Sequence, residues 1–354
     1  MNTQRPTAGL LAVLAVAGLS SAALAPAGPT PPGHEEAWTS SALKHRASEK
    51  FEYVLGQEKW RSLEGEITLF GQEFPIEVLG PVHFEIDSNG DGRPDRDVKG
   101  SDGFVDLKGE DEQGEVFHYG VRFRNDGERK WSWTASGAMT GKVEGLTMAV
   151  IDANANGRYD DLGVDGLAIG SDPGAGYVSR IVSIDGKLFE FEIEPDGSEV
   201  RTRPYTGETG VLKLKKIKGI KAKVVTAIAR QGKDVSFQIA GAKKGMQVPV
   251  GEYVLADAFL KGGSETARIR KGRMDRIEVA SAAEVELQLG GPLVGEVPAP
   301  RLQEGGAVVS PNVQVFGSMG EEYYDFQPKG KVPSFELYDA NTGKRLKKGK
   351  FPAG

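Results

Sequence analysis

Two stretches of this chain set oxygen-bearing side chains at alternate positions around a glycine. They are Asp87-Ser88-Asn89-Gly90-Asp91-Gly92-Arg93-Pro94-Asp95 and Asp152-Ala153-Asn154-Ala155-Asn156-Gly157-Arg158-Tyr159-Asp160. In a cation loop of this kind, side chains at positions 1, 3, 5 and 9 and the carbonyl at position 7 converge on one hard ion. Glycine at position 6 permits the sharp turn. Each stretch looks like a calcium loop. The competing reading is that Asx-Gly clusters simply make turns, which they often do.

The elements that position the loops are strands. Val82-His83-Phe84-Glu85-Ile86 enters the first loop and Thr147-Met148-Ala149-Val150-Ile151 enters the second. An EF-hand has flanking helices and a bidentate Glu at position 12, whereas position 12 here is Val98 in one loop and Gly163 in the other. The pattern resembles the strand-flanked DxNxDGxxD loops of integrin-type FG-GAP repeats and, more loosely, those of dockerins and thrombospondin type 3 repeats. The resemblance implies that Asp87, Asn89, Asp91 and Asp95, with the Arg93 carbonyl, ligate one ion. It assigns Asp152, Asn154, Asn156 and Asp160, with the Arg158 carbonyl, to a second. A propeller does not follow, because only two loops occur, offset by 65 residues (152 minus 87). Aligning the loops also aligns Ile86 with Ile151 and Arg93 with Arg158, as an internal duplication would. Asn156 replaces an Asp in the second loop, so that site is expected to bind more weakly unless Asp161 or Asp165 folds back to help.

The N-terminus speaks to compartment. Arg5 precedes an apolar run from Ala8 to Leu19 that ends in Ala23-Leu24-Ala25, the pattern of an export signal. Cleavage after Ala25 or Ala27 and an uncleaved anchor all stay open, and the reading sets aside residues 1–27. The run is too short to span a membrane as a helix, and no later stretch is long and apolar enough to do so. The chain is therefore expected to be exported to the periplasm, cell surface or medium. It has no cysteine, which removes disulfides and thiol chemistry from consideration. Calcium then becomes the available staple.

The 48 glycines among 354 residues, scattered between short alternating runs, argue for many strands and tight turns. The fold expected is mainly β: two or three packed β-sandwich-like domains with a short N-terminal helix. The organisation expected is a disordered Pro-rich leader over 28–39, a β domain with both calcium loops over 40–209, a β-sandwich over 210–297 and a small C-terminal β unit over 298–354. The helix is placed from Ser40 to Tyr53, where Ala42, Leu43, Ala47, Phe51 and Val54 fall near helical spacing. Val248-Pro249-Val250-Gly251-Glu252-Tyr253 resembles the PxGxY signature of prealbumin-like sandwiches, such as carboxypeptidase regulatory-like and Cna-B-type modules. That resemblance implies a turn leading into a strand whose tyrosine packs inward, in a prealbumin-like or immunoglobulin-like sandwich.

A formal charge of −6 without a basic domain excludes nucleic acid as the expected partner. Lys213, Lys215, Lys216, Lys218, Lys221 and Lys223 form a basic ladder that either meets an anionic envelope polymer or is a solvated strand face. Phe117, Tyr119, Val121 and Phe123 share one strand face, with Trp131 and Trp133 on the next strand. Core packing is the favoured reading, and a sugar platform the other. Catalytic patterns are missing: Ser41-Ala42-Leu43-Lys44 has no companion motifs, His34-Glu35-Glu36 lacks a second histidine, and neither GxSxG nor a P-loop occurs. The resulting expectation is an exported calcium-binding structural or binding module whose partner is a cell-envelope polysaccharide or another exported protein. The alternative is a polysaccharide hydrolase with an unidentified carboxylate pair.

Overall fold

From Glu66 onward the alternation of apolar and polar residues builds an antiparallel meander of Glu66–Leu69, Gln72–Gly80, His83–Ile86 and Arg96–Lys99. Ile67, Leu69, Phe84 and Ile86 lie on one face and are fully buried, as period two requires when one side of a sheet meets a core. The computed structural model describes residues 37–111, 113–126, 130–171, 173–299, 301–303, 306–308, 313–328, 334–339 and 341–350. The export signal expected over 1–27 and most of the leader over 28–39 lie outside these residues.

A second sheet packs on the first, in the order Arg61–Ser62, Trp131–Ala135, Val116–Asn125, Asp102–Glu110. Phe84 from the meander sets its ring edge-on against Phe123 at 4.9 Å and Trp131 at 4.8 Å. Tyr119, Val121, Phe123, Trp131 and Trp133 are buried, so these aromatics are core and offer no sugar platform. A third sheet carries Leu146–Ile151 between Gly137–Val143 and Gly166–Ile169. A fourth comprises Thr39–Ala42, Glu199–Pro204, Lys187–Ile193 and Ile181–Ile184. All four sheets contribute to one core, from Phe74 and Tyr119 to Met148, Phe191 and Val200.

The expected helix over Ser40 to Tyr53 is absent, and two strands take its place. Thr39–Ala42 pairs with residues 199–202, and Lys44–Ala47 pairs with residues 137–140. Leu43 between them is the one residue of this pair of strands and their junction that is buried. The supposed apolar face therefore had little area to bury. Ser and Thr are weak helix formers, and two open sheet edges supplied a hydrogen-bond ladder instead.

Most of the remaining strands enclose a second core. Thr209–Leu214 lies between Met246–Pro249 and Glu284–Leu287, running parallel to the latter. A larger sheet holds Val235–Gln238, Lys223–Gln231, Gly251–Gly262, Glu265–Arg270, Glu322–Gln327, Gln314–Phe316 and Val294–Glu296 in that order. Strands from both sides of residue 298 thus share one sheet. Tyr253 is fully buried and donates its hydroxyl to the Pro249 carbonyl at 2.8 Å, the inward packing expected of it. Lys187–Ile193 serves both cores, with Leu188 in the second and Phe189 and Phe191 in the first.

His45 sits in the Lys44–Ala47 strand, stacked on His118 and accepting the Gly120 N–H at Nε2 over 3.3 Å. Burial pushes its imidazole from 6.5 down to about 4; Asp106 opposes this and His118 adds to it. Between those two values the unfolded chain binds a proton that the folded chain does not, so stability falls as pH drops from about 6.5 to about 4. The expected loss is up to about 3 kcal/mol. Urea unfolding at several pH values measures it, and His45→Gln should flatten this part of the profile. A variant as acid-sensitive as the parent would refute the assignment.

Candidate metal centre

Both loops are hairpin connections between paired antiparallel strands, with Ile86 opposite Arg96 at the base of the first and Ile151 opposite Gly166 at the base of the second. Their backbones follow the same course. Positions 4 and 6 have positive φ in each, as Gly90 (72°) and Gly92 (84°) in the first and Ala155 (55°) and Gly157 (84°) in the second. Ala155 adopts a conformation that L-residues avoid unless their surroundings enforce it.

The hydrogen bonds repeat as well. Asp87 Oδ2 accepts the Gly92 N–H at 2.6 Å, and Asp152 Oδ2 accepts the Gly157 N–H at 2.6 Å. Asn89 Oδ1 accepts from the Asp91 amide at 3.0 Å, and Asn154 Oδ1 accepts from the Asn156 amide at 3.1 Å. Asp91 Oδ1 and Asn156 Oδ1 then accept from Arg93 and Arg158, each at 2.9 Å. Successive Asx turns thus set the oxygens of positions 1, 3 and 5 along the inside of each loop.

Position 9 departs from the pattern in both. In the first loop the Asp95 carboxylate accepts the Ser88 N–H at 2.7 Å and the Ser88 hydroxyl at 3.0 Å. In the second, Arg158 takes Asp160 in a two-point ion pair, with Nε to Oδ1 at 3.0 Å and Nη2 to Oδ2 at 2.8 Å. Asp161 and Asp165 turn inward instead. Asp161 Oδ2 receives the side-chain amides of Asn154 and Asn156, both at 2.7 Å. Asp165 accepts the Asp161 N–H at 2.9 Å and the Ala153 N–H at 3.2 Å. The second loop therefore gathers Asp152, Asn154, Asn156, Asp161 and Asp165 and leaves Asp160 on its arginine.

Asp152 and Asp165 are among the most buried side chains in the molecule. Burial raises both carboxyls, and the Asp152 charge helps push Asp165 up to about 8. Tyr119 donates to Asp152 Oδ2 at 2.7 Å and stays protonated, because burial and that same charge hold its phenol well above the usual range. Hydrogen-bond donors thus surround Asp152 and Asp165, yet two acidic groups share one interior site. A hard cation fits this donor set, since it would compensate charge that neutral donors cannot.

Sequence reading missed a second cluster. His83, Glu85 and Asp97 each offer a ligand atom within 4.8 Å of the others, and they form the group of three such side chains found among the described residues. The carboxylates of the two loops do not close to that spacing. His83 Nε2 lies 2.6 Å from Asp97 Oδ1, while Lys99 Nζ lies 2.8 Å from Asp97 Oδ2. Lys99, and then His83, hold the Asp97 carboxyl below the ordinary aspartate range. With Lys99 already compensating Asp97, the cluster is a cross-strand ion-pair group. Its signal in the sequence was His83 and Glu85 on one face of a strand, two residues before Asp87.

Two of the six lysines of the basic ladder are answered within the fold. Lys213 pairs with Glu284 at 2.5 Å and Lys215 with Glu286 at 2.7 Å, from the neighbouring parallel strand. Among the described cavities, one of about 430 Å³ lined by Ile220, Leu260, Leu293, Tyr323 and Phe326 is apolar, with Glu265 as its carboxylate. Another of about 460 Å³ contains Glu49 and Asp102, but Arg122 and Arg124 cover the faces of Phe51 and Trp60 at 4.0 and 4.1 Å. Neither presents two converging carboxylates beside a free aromatic face. No family model matches the chain, and no curated protein or solved structure is significantly similar to it.

Proposed function

We propose that the protein is an exported calcium-binding β module, structural or adhesive in role, acting in the periplasm or at the cell surface. In this reading the cations rigidify two duplicated hairpin loops. The repeated hydrogen-bond pattern of Asp87 to Arg93 and Asp152 to Arg158 supports it, and the buried Asp152 and Asp165 pair carries it. When bound, calcium would supply charge compensation and a fixed coordination geometry. Asp87, Asn89, Asp91 and the Arg93 carbonyl would hold it in the first loop, with Asp95 joining if Ser88 releases it. Asp152, Asn154, Asn156, Asp161, Asp165 and the Arg158 carbonyl would hold it in the second. The N-terminal signal pattern supports export, and the lack of cysteine gives calcium a role that disulfides fill elsewhere.

Titration of EGTA-stripped protein by calorimetry tests the ligand assignment. Two calcium ions per chain are expected, falling to one in Asp87→Ala and to one in Asp165→Asn. Asp160→Asn should retain both. A stoichiometry of zero, or one that Asp87→Ala and Asp165→Asn leave intact, would overturn the reading.

A further inference from the structure

The described chain ends in a two-stranded sheet, Ser334–Tyr338 with Arg345–Lys350, that joins no other sheet. A lone hairpin is at best marginally stable in water, so this one gains most from a surface that covers it. Its register puts Phe335 opposite Gly349 and Leu337 opposite Lys347 on one face, with Glu336 opposite Lys348 on the other. The Phe335 ring packs over Gly349, where an added Cβ would meet it at 2.7 Å. Leu337, Tyr338 and Leu346 are 50%, 53% and 59% exposed, although side chains of this kind ordinarily seek cover.

The same few residues concentrate positive charge. Lys344, Arg345, Lys347, Lys348 and Lys350 are all exposed, in a chain whose net charge is −6. Glu336 lies 3.5 Å from Arg345 and 3.1 Å from Lys348. Lys344, Lys347 and Lys350 have no ion pair among the described residues. The hairpin therefore offers ammonium groups and exposed apolar side chains on an element that pairs with no other strand among the described residues.

We infer that this hairpin docks on an anionic lipid bilayer surface. Ammonium groups on such a surface meet phosphate headgroups, while Leu337, on the face it shares with Lys347, enters the boundary between headgroups and acyl chains; Tyr338 lies on the opposite face, bonded to Glu336. A soluble polyanion would answer the charge and leave the apolar side chains in water. The inference does not depend on the calcium loops, which lie in other sheets.

The test is flotation with phosphatidylcholine vesicles, with and without about one-third phosphatidylglycerol, at low and high salt. The chain from Gly28 on should be used, because it contains the whole compact unit Ala37–Gly354 and lacks the apolar run Ala8 to Leu19. Expected is binding to the anionic vesicles alone, lost at high salt. It should weaken at least about tenfold in Lys344→Gln/Lys347→Gln, since each charge near such a surface contributes roughly a fivefold factor. Lys344→Arg/Lys347→Arg should restore it, and Leu337→Asp should weaken it with no change in melting temperature. Failure to float would overturn the inference. So would binding that ignores Leu337→Asp and is matched by a soluble sulfated polysaccharide, which would identify a polymer rather than a bilayer as the partner.

Discussion

In about 1 mM calcium the protein should melt about 10 °C higher than in excess EGTA, and magnesium should reproduce little of the shift. A site with a dissociation constant of about 10 μM contributes roughly 2.7 kcal/mol at that concentration, so two sites give about 5 kcal/mol. For a unit of this size each kcal/mol moves the midpoint by about 2 °C. Magnesium fails because it demands a tighter octahedral shell and dehydrates reluctantly. Asp87→Ala should remove about half of the gain. Asp165→Asn should likewise lose the second site's share of the gain, on top of a calcium-independent loss, because both Asp165 oxygens accept backbone N–H groups from Asp161 and Ala153 and an amide has only one acceptor oxygen. If the loops were merely turns, neither variant would change the calcium-dependent shift. A parent that melts at the same temperature in EGTA and calcium would remove the metal reading altogether.

Much of this architecture can be read from local pattern because period two acts residue by residue. Ile67 and Leu69, Phe84 and Ile86, and Tyr119, Val121 and Phe123 each announce their buried face within a few residues. Tyr253 is similar, since the turn before it and the strand after it are contiguous. What stayed hidden depends on distant chain. Thr39–Ala42 and Lys44–Ala47 become strands because residues 199–202 and 137–140 leave edges open to them, and no local propensity carries that information. Lys213 looked unanswered because Glu284 lies 71 residues beyond it. At the second loop, motif spacing pointed to Asp160, whose carboxylate pairs with Arg158 in this structure. Asp165 acquires its burial from the pairing of Gly166–Ile169 with its neighbours, and spacing alone left it only as an option.

Arg268→Ala should destabilise the protein by about 3–5 kcal/mol, an effect unrelated to calcium. Asp257 is 4% exposed, and Arg268 Nη1 lies 3.2 Å from its Oδ2. The same guanidinium donates to the carbonyls of Gly56 at 2.6 Å and Leu55 at 3.2 Å, tying the segment before Arg61–Ser62 to the large sheet of the second core. Burial raises the Asp257 carboxyl, with Arg268 and the Tyr324 hydroxyl opposing it. Deleting the arginine leaves a buried acid with one weak donor and frees two carbonyls, and most of the loss comes from the acid. The double variant Arg268→Ala/Asp257→Asn should therefore recover a large part of the stability, although it contains one substitution more. Urea unfolding of the parent, both single variants and the double variant closes the cycle. Hydrogen exchange at Leu55 to Lys59 separates the two contributions, because the carbonyl contacts stay broken in the double variant. Protection there should remain low even as global stability returns. A single variant within about 1 kcal/mol of the parent would mean that Asp257 is solvated and that Arg268 contributes little to joining the two cores.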